Sequence, residues 1–158
     1  RGCMNPLDNL DLFRLVYRSR STFEGTAEEV QRAIDKTLTT SQSRNAETGI
    51  TGTLLFTRLF FVQALEGPAA AVEAIFDRIC CDLRHVNVEV VECGPVLEPI
   101  FGEDPMSYLV PDAGSGALVE RVEHDTELAD AAVAAMKLMV ALIRTEQCNG
   151  GSTLQSAA

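Results

Sequence analysis

Four polar side chains occupy positions where the sequence otherwise predicts apolar surroundings. Tyr17 and Gln63 lie in apolar runs with the alternation of strands, and Ser41 and Asn45 continue the apolar stripe of a predicted helix. A side-chain amide on a buried face must satisfy up to four hydrogen bonds. These residues therefore predict a cluster of hydrogen-bonding groups that faces apolar space.

A second polar group belongs to the next predicted helix. Arg78 and Asp82 are four residues apart beside its apolar stripe, and His85 lies just past its end. A groove between the two helices would be lined by polar residues from both, above a floor of two strand residues: Ser41, Asn45, Arg78, Asp82, Tyr17 and Gln63. Such a groove is typical of a site for a flat heteroaromatic ligand. The alternative is that these buried polar groups are structural and satisfy one another and the backbone.

The elements that position these residues follow from periodicity. Residues 13–19 alternate as a strand, and Thr26 with Glu29 forms a capping box that opens a helix extending towards Asn45. Residues 53–57 and 60–67 predict a hairpin across a tight turn. A second helix is predicted from Ala69 to Leu83, with Val72, Ile75, Phe76, Ile79 and Leu83 as its core stripe.

Two further strands are predicted at residues 86–91 and 106–110, with a Gly- and Pro-containing loop at 94–102 between them. The order βαββαββ predicts an α+β, ferredoxin-like sheet with two helices on one face. Helices at 117–122 and 125–146 are expected to form a C-terminal extension that covers the other face, or to pair between subunits.

Composition limits the size and the partners of the protein. Its 158 residues suffice for one domain with a helical extension. With 13 Lys and Arg against 23 Asp and Glu, the net charge of −10 disfavours binding to nucleic acid, because a polyanion is repelled. No apolar run approaches the ~20 residues that span a bilayer, so no membrane association is predicted.

The cysteines and the missing motifs argue against a metal site and against catalysis. The five cysteines include no C-x-x-C pair, and His85 and His124 are far apart. Cys80 and Cys81 are predicted to be buried, reduced thiols, as is typical of a cytoplasmic protein. Motifs for nucleophile elbows, phosphate loops and zinc hydrolases are missing, so no enzymatic activity is predicted.

Four strings along the chain resemble the BLUF family of blue-light sensors, which bind flavin. They are Leu-Val-Tyr-Arg-Ser at 15–19, Asn45 followed by Gly-Ile-Thr-Gly-Thr-Leu-Leu-Phe at 49–56, Phe-Val-Gln-Ala-Leu-Glu-Gly at 61–67, and Asp-Leu-Arg-His at 82–85. The resemblance covers residues 12–110 and implies a flavin-binding domain there. The rest of the chain is predicted to form a helical extension at 111–147 and flexible termini at 1–11 and 148–158. The resemblance also implies the ferredoxin-like fold predicted above.

The resemblance implies that Tyr17 and Gln63 are the photoactive pair. Light drives electron and proton transfer from the tyrosine to noncovalently bound FAD or FMN. The glutamine then rotates or tautomerises, and its changed hydrogen bonds red-shift the flavin absorption. The physical basis is that a phenol is an oxidisable proton donor, whereas an amide offers either a donor or an acceptor. Met106 matches the methionine of strand five that senses the glutamine.

The remaining implied flavin contacts lie on both helices and both hairpin strands. Together with Gln63 they are Ser41, Arg44, Asn45, Leu54, Phe61, Arg78, Ile79, Asp82, Arg84 and His85. The family usually has a tryptophan two residues before the methionine. Here that residue is Asp104, and the chain has no tryptophan at all, so the signal is expected to pass through Met106.

The output is expected to depend on other molecules. No effector domain fits in the ~50 residues after Val110, which favours signalling to a partner protein or through a change of assembly, with a homodimer as the default. The main alternative is a light-insensitive, ferredoxin-like interaction module without flavin. A flavin-dependent oxidoreductase is a further alternative, although no catalytic base or electrophile is evident.

Overall fold

The fold is a five-stranded sheet with helices on both faces, described here by a computed structural model for residues 12–111, 113–124, 134 and 136–144. The elements, in chain order, are β1 (Leu12–Ser21), α1 (Ala27–Thr48), β2 (Thr51–Phe56), β3 (Phe60–Pro68), α2 (Ala69–Cys80), β4 (His85–Pro95), β5 (Ser107–Leu109) and α3 (Gly116–His124). The strand order is β4-β1-β3-β2-β5, with β2 and β5 parallel and the other pairs antiparallel. The predicted α+β, ferredoxin-like arrangement is confirmed.

The predicted start of α1 is also confirmed. The backbone N–H of Glu29 donates to Thr26 Oγ1 over 3.2 Å, and the backbone N–H of Thr26 donates to Glu29 Oε2 over 2.8 Å. Each bond satisfies a donor that the helix itself leaves unpaired. The helix ends at Thr48, and its C-cap residue Gly49 has a left-handed φ of 72°, a conformation that costs glycine little.

Strand pairing determines which residues share a face. Tyr17 lies directly opposite Gln63 in the β1–β3 ladder, and Gln63 lies opposite Leu54 in the β2–β3 ladder. Opposed residues in an antiparallel pair point to the same side of the sheet. Consequently these three side chains all project towards α1 and α2.

The sheet separates two apolar cores. The first lies under α1 and α2 and contains residues such as Leu15, Ile34 and Leu65. The second lies on the opposite face, where Val16 and Leu55 of the sheet belong to one cluster with apolar residues of α3 and of the helical stretch at 136–144: Leu118, Val119, Val122, Leu138, Met139 and Leu142. The C-terminal extension therefore covers the second face of its own sheet, because burying an apolar face stabilises the fold.

Three predictions near the end of α2 were wrong. The helix ends at Cys80 rather than at Leu83, and Cys81 is its C-cap residue, with φ −92° and ψ −3°. Since the chain leaves the helical path there, Leu83 does not continue the core stripe and is 89% exposed. Cys80 and Cys81 are exposed free thiols rather than buried ones, as is Cys93. Val72, Ile75, Phe76 and Ile79 do pack into the core as predicted.

Other expectations concern residues outside the described part of the chain. These are the termini at 1–11 and 148–158, with Cys3 and Cys148, and the first part of the predicted helix at 125–146. Strand β4 continues to Pro95, two residues into the predicted loop, and β5 begins at Ser107, one residue after Met106. None of the helices in the described ranges combines the length and apolarity that crossing a membrane requires.

Candidate functional site

A groove lies between α1 and α2 above the middle of the sheet, with about 690 Å³ of empty volume that includes its open mouth. All eleven residues implied as flavin contacts line it: Ser41, Arg44, Asn45, Leu54, Phe61, Gln63, Arg78, Ile79, Asp82, Arg84 and His85. Thr37 and Ile75 line it as well and were not singled out from the sequence. Helix periodicity could have identified both residues, since each lies on the stripe of its helix that faces the sheet.

The floor of the groove contains a chain of buried hydrogen bonds. The Tyr17 hydroxyl donates to Gln63 Oε1, and Gln63 Nε2 donates to Met106 Sδ over 3.6 Å. Tyr17 is completely buried and lies behind Gln63, so only the amide reaches the groove surface. Burial raises the pKa of the Tyr17 phenol far above its usual range, and the negative charge of Asp82 adds to this. The phenol is therefore neutral and donates a hydrogen bond to the amide oxygen.

A second amide holds the segment that leads into Met106. Asn45 is buried in the last turns of α1, and its Nδ2 donates to the backbone carbonyl of Pro105 over 2.6 Å. Next to it the backbone N–H of Gly52 donates to the carbonyl of Asp104 over 3.1 Å. Asn45 and Gln63 are thus placed on neighbouring walls of one groove, and each also contacts the residues just before β5.

His85 closes the far end of the groove beside the aromatic floor. Its Nδ1 lies 2.8 Å from Ser19 Oγ, and its ring centroid is 4.8 Å from that of Phe61 and 6.0 Å from that of Tyr17. Burial lowers the pKa of the imidazole, and Arg84 adds to this while Asp82 opposes it. His85 is therefore neutral at pH 7, with one ring nitrogen able to accept a hydrogen bond.

We expect His85 to make folding sensitive to mild acid. A histidine whose pKa is lower when folded favours the unfolded chain once protonated, so stability is lost as the pH falls through the unfolded value of about 6.5. Urea unfolding at about pH 7.5 and about pH 5.5 measures this loss, which should be smaller in a His85→Gln variant. A His124→Gln variant is the matched control, because that side chain is exposed. An equal loss in wild type and His85→Gln would contradict the prediction.

The mouth of the groove is rich in guanidinium groups. Arg84 donates to both Asp82 oxygens and, over 2.7 Å, to Thr37 Oγ1, so it links the α2–β4 turn to α1. These hydrogen bonds lower the pKa of the Asp82 carboxyl. Arg44 and Arg78 are exposed and form no ion pair with any described residue. Two cations without an ion-pair partner in the described ranges, placed beside a groove, favour an anionic group on its ligand.

The apolar and hydrogen-bonding side chains that line the groove therefore fit a flavin. Leu54, Phe61 and Ile79 provide apolar contacts for a flat ring, and the two buried amides can hydrogen-bond its polar edge. The arginines at the mouth suit a phosphate. By contrast, no group of three or more His, Cys, Asp or Glu side chains that could hold a metal ion occurs in the described ranges.

Comparisons with known proteins agree on one family. A family model described as "BLUF: Sensors of blue-light using FAD" matches residues 12–107. The blue light- and temperature-regulated antirepressor BluF of Escherichia coli (strain K12) is 34% identical over 95 residues, which are 60% of this chain and 23% of that protein. Photoactivated adenylate cyclase subunit beta of Euglena gracilis is 45% identical over 62 residues, 39% of this chain and 7% of that protein. The chain thus spans less than a quarter of either curated relative.

Solved structures show the same fold. The dark-state structure of BlrB, a BLUF protein, has a TM-score of 0.65 and 26% identity, covering 80% of this chain and 97% of that chain. Klebsiella pneumoniae BlrP1 with FMN and cyclic diGMP has a TM-score of 0.61 and 29% identity, covering 82% of this chain and 34% of that chain.

Proposed function

This chain belongs to the BLUF family, and we propose that it is a blue-light photoreceptor that holds its flavin in the groove between α1 and α2. BLUF domains bind FAD or FMN and act as sensor modules. The observation that carries the proposal is the hydrogen-bonded pair of Tyr17 and Gln63. The pair lies at the floor of a groove whose lining residues fit flavin. The amide N–H of Gln63 also donates a hydrogen bond to the Met106 sulfur.

Within the groove each side chain has a proposed part in binding. Leu54, Phe61 and Ile79 pack on the ring, and Asn45 holds its carbonyl and N–H edge, which suits an amide with both a donor and an acceptor. His85 lies beside the ring. Other polar residues complete the set towards the carbonyl side, the ribityl chain and the phosphate: Ser41, Arg44, Arg78, Asp82 and Arg84.

Bound flavin supplies the absorption of blue light and the capacity to accept an electron and a proton. Tyr17 is the donor of both, because its buried phenol is neutral and already points its proton into the groove floor. Gln63 lies between the phenol and the groove, and its amide passes the change on. If the amide rotates or tautomerises, its donor and acceptor positions towards the ligand change, which shifts the absorption.

Rearrangement of Gln63 also changes its contact with Met106. A thioether can only accept hydrogen bonds, so the amide N–H interacts favourably with it and an amide oxygen does not. Rotation of Gln63 therefore breaks its hydrogen bond to Met106, the residue that directly precedes β5, and Met106 loses this restraint. This supports an output through β5 and fits a chain in which Asp104 replaces the family's usual tryptophan.

The sensor is proposed to act on other molecules rather than as an enzyme. Residues 12–110 form the proposed flavin-binding domain, and the helical extension proposed for residues 111–147 includes the described helical residues 116–124 and 136–144. Its signal would reach a partner protein or change its own assembly, with a homodimer as the default. The free exposed thiols Cys80, Cys81 and Cys93 favour a reducing compartment such as the cytoplasm.

One absorbance experiment tests the function. The chain is purified, loaded separately with FAD and FMN, and its spectrum is recorded before, during and after blue light. We expect a flavin band that shifts to the red in light and returns in the dark. A chain that binds neither flavin, or one whose spectrum is indifferent to light, would instead favour the light-insensitive interaction module.

A further inference from the structure

The structure assigns a positioning role in the photoreaction to Gln42, a residue of α1 that lies outside the flavin groove. Its side-chain Nε2 donates to the backbone carbonyl of Met106 over 3.1 Å. We argue that this bond holds the Met106 thioether where Gln63 can donate to it, and so sets how fast Gln63 returns to its dark orientation. The inference rests on the proposed function, because it concerns the rate of the proposed photocycle.

The segment before β5 is held by three successive carbonyl contacts. Gly52 N–H binds the carbonyl of Asp104, Asn45 Nδ2 that of Pro105, and Gln42 Nε2 that of Met106. Two of the three donors are amide side chains one turn apart on α1. Residues 104–106 are thereby attached to both α1 and β2 before the strand begins.

Close packing leaves Met106 little freedom at this place. Its side chain is buried, and a Cβ built on Gly52 would lie 3.0 Å from Met106 Cε and 3.3 Å from Asn45 Nδ2. Glycine at position 52 therefore lets Met106 and Asn45 approach the β2 backbone. A shift of the Met106 backbone must accordingly change the distance between its sulfur and Gln63 Nε2, now 3.6 Å.

Gln42 and Asn45 both hold the segment before β5, but only Asn45 also lines the groove. Asn45 lines the groove and is committed to the flavin in the proposed function, so its bond to Pro105 competes with the ligand. Gln42 is not among the groove-lining residues, and its bond to Met106 does not compete. Among the described residues, Gln42 is therefore the side chain of α1 that can hold Met106 whether flavin is bound or not.

The test is the rate of dark recovery in a Gln42→Met variant. Methionine has a similar length and helix propensity and lacks the donor, and position 42 is exposed on α1, so folding and flavin binding should persist. Losing one partly buried hydrogen bond that holds the dark arrangement should slow recovery about two- to tenfold, with the size of the red shift unchanged. Gln31→Met is the matched control, because Gln31 lies on the same helix and its amide donates to Asp35 of that helix rather than to the segment before β5.

Rescue separates a specific bond from a general effect at this position. A Gln42→Lys variant restores a donor and should recover at the wild-type rate. Recovery of Gln42→Met at the wild-type rate, equal slowing in Gln31→Met, or equal slowing in Gln42→Lys would each overturn the assignment. A wild-type chain whose flavin shows no light-induced shift would instead refute the proposed function, which keeps the two failures distinguishable.

Discussion

A Gln63→Leu variant is expected to bind flavin and to show no red shift in blue light. Leucine keeps the volume and apolar packing of the groove floor but removes both the acceptor for Tyr17 and the donor to Met106. With no amide to rearrange, illumination cannot change the hydrogen bonds that the protein offers the ligand. The measurement is a light-minus-dark absorbance spectrum at equal flavin occupancy.

A Tyr17→Phe variant should lose the shift as well, for a different reason. It removes one hydroxyl from a completely buried side chain and leaves Gln63 in place, so the amide remains and the proton donor is gone. Leaving Gln63 Oε1 without its donor costs about 1–3 kcal/mol of folding free energy, which the fold should tolerate. A wild-type shift in either variant would contradict the proposed roles. Loss of folding in both would favour a purely structural role for the pair.

Glu66→Ala should cause the largest loss of stability, about 3–5 kcal/mol, because it breaks a buried ion pair. The Glu66 side chain is 1% exposed and accepts from Arg14 Nε over 3.0 Å and from Nη2 over 2.9 Å. It also accepts from the backbone N–H groups of Ile100 and Phe101. The substitution leaves a buried guanidinium with one fewer partner and two backbone donors unpaired.

The control for Glu66 is another acid that pairs with an arginine of β1. Glu89 binds Arg18 in the same geometry, but its side chain is 42% exposed and accepts from no backbone N–H among the described residues, so Glu89→Ala should cost less than Glu66→Ala. Urea unfolding of the two variants and wild type gives both differences. Comparable costs at positions 66 and 89 would show that burial of the pair is not what stabilises it.

Glu66 also connects β3 to the loop between β4 and β5. It holds Ile100 and Phe101, while Thr53 Oγ1 donates to the carbonyl of Phe101 over 2.5 Å. Phe101 lies on the face covered by the C-terminal helical residues, and Met106 lies on the groove face. The loop from β4 to β5 thus passes from one core to the other, and each of its ends is anchored to the sheet.

Asp104 occupies the position where the family usually has a tryptophan, and the structure shows where its side chain lies. Asp104 is exposed, accepts a hydrogen bond from Ser107 Oγ, and contacts β2 through its backbone carbonyl alone. Its side chain therefore does not enter the groove, whereas Met106 is buried against Gln63. A route through Met106 needs only a change in the amide, which is why the missing aromatic residue leaves the proposed photochemistry intact.

Local patterns in the sequence determined the elements and their faces. The capping box at Thr26 and Glu29 requires only a spacing of three residues, and the alternation around Tyr17 and Gln63 identified the buried face of each strand. Such patterns involve only residues that are close together in sequence, so they can be recognised without knowing the strand order. The resemblance then named the same residues that the groove brings together.

Only the tertiary structure decided which distant residues touch. That Gln42 reaches Met106 and that Glu66 pairs with Arg14 depend on the order β4-β1-β3-β2-β5 and on the path of the β4–β5 loop. Likewise, the exposure of Leu83 and Cys81 follows from where α2 stops, which helix periodicity alone did not predict. Contacts across 50 or 60 residues carry no local signal, because their energy arises only when the sheet has assembled.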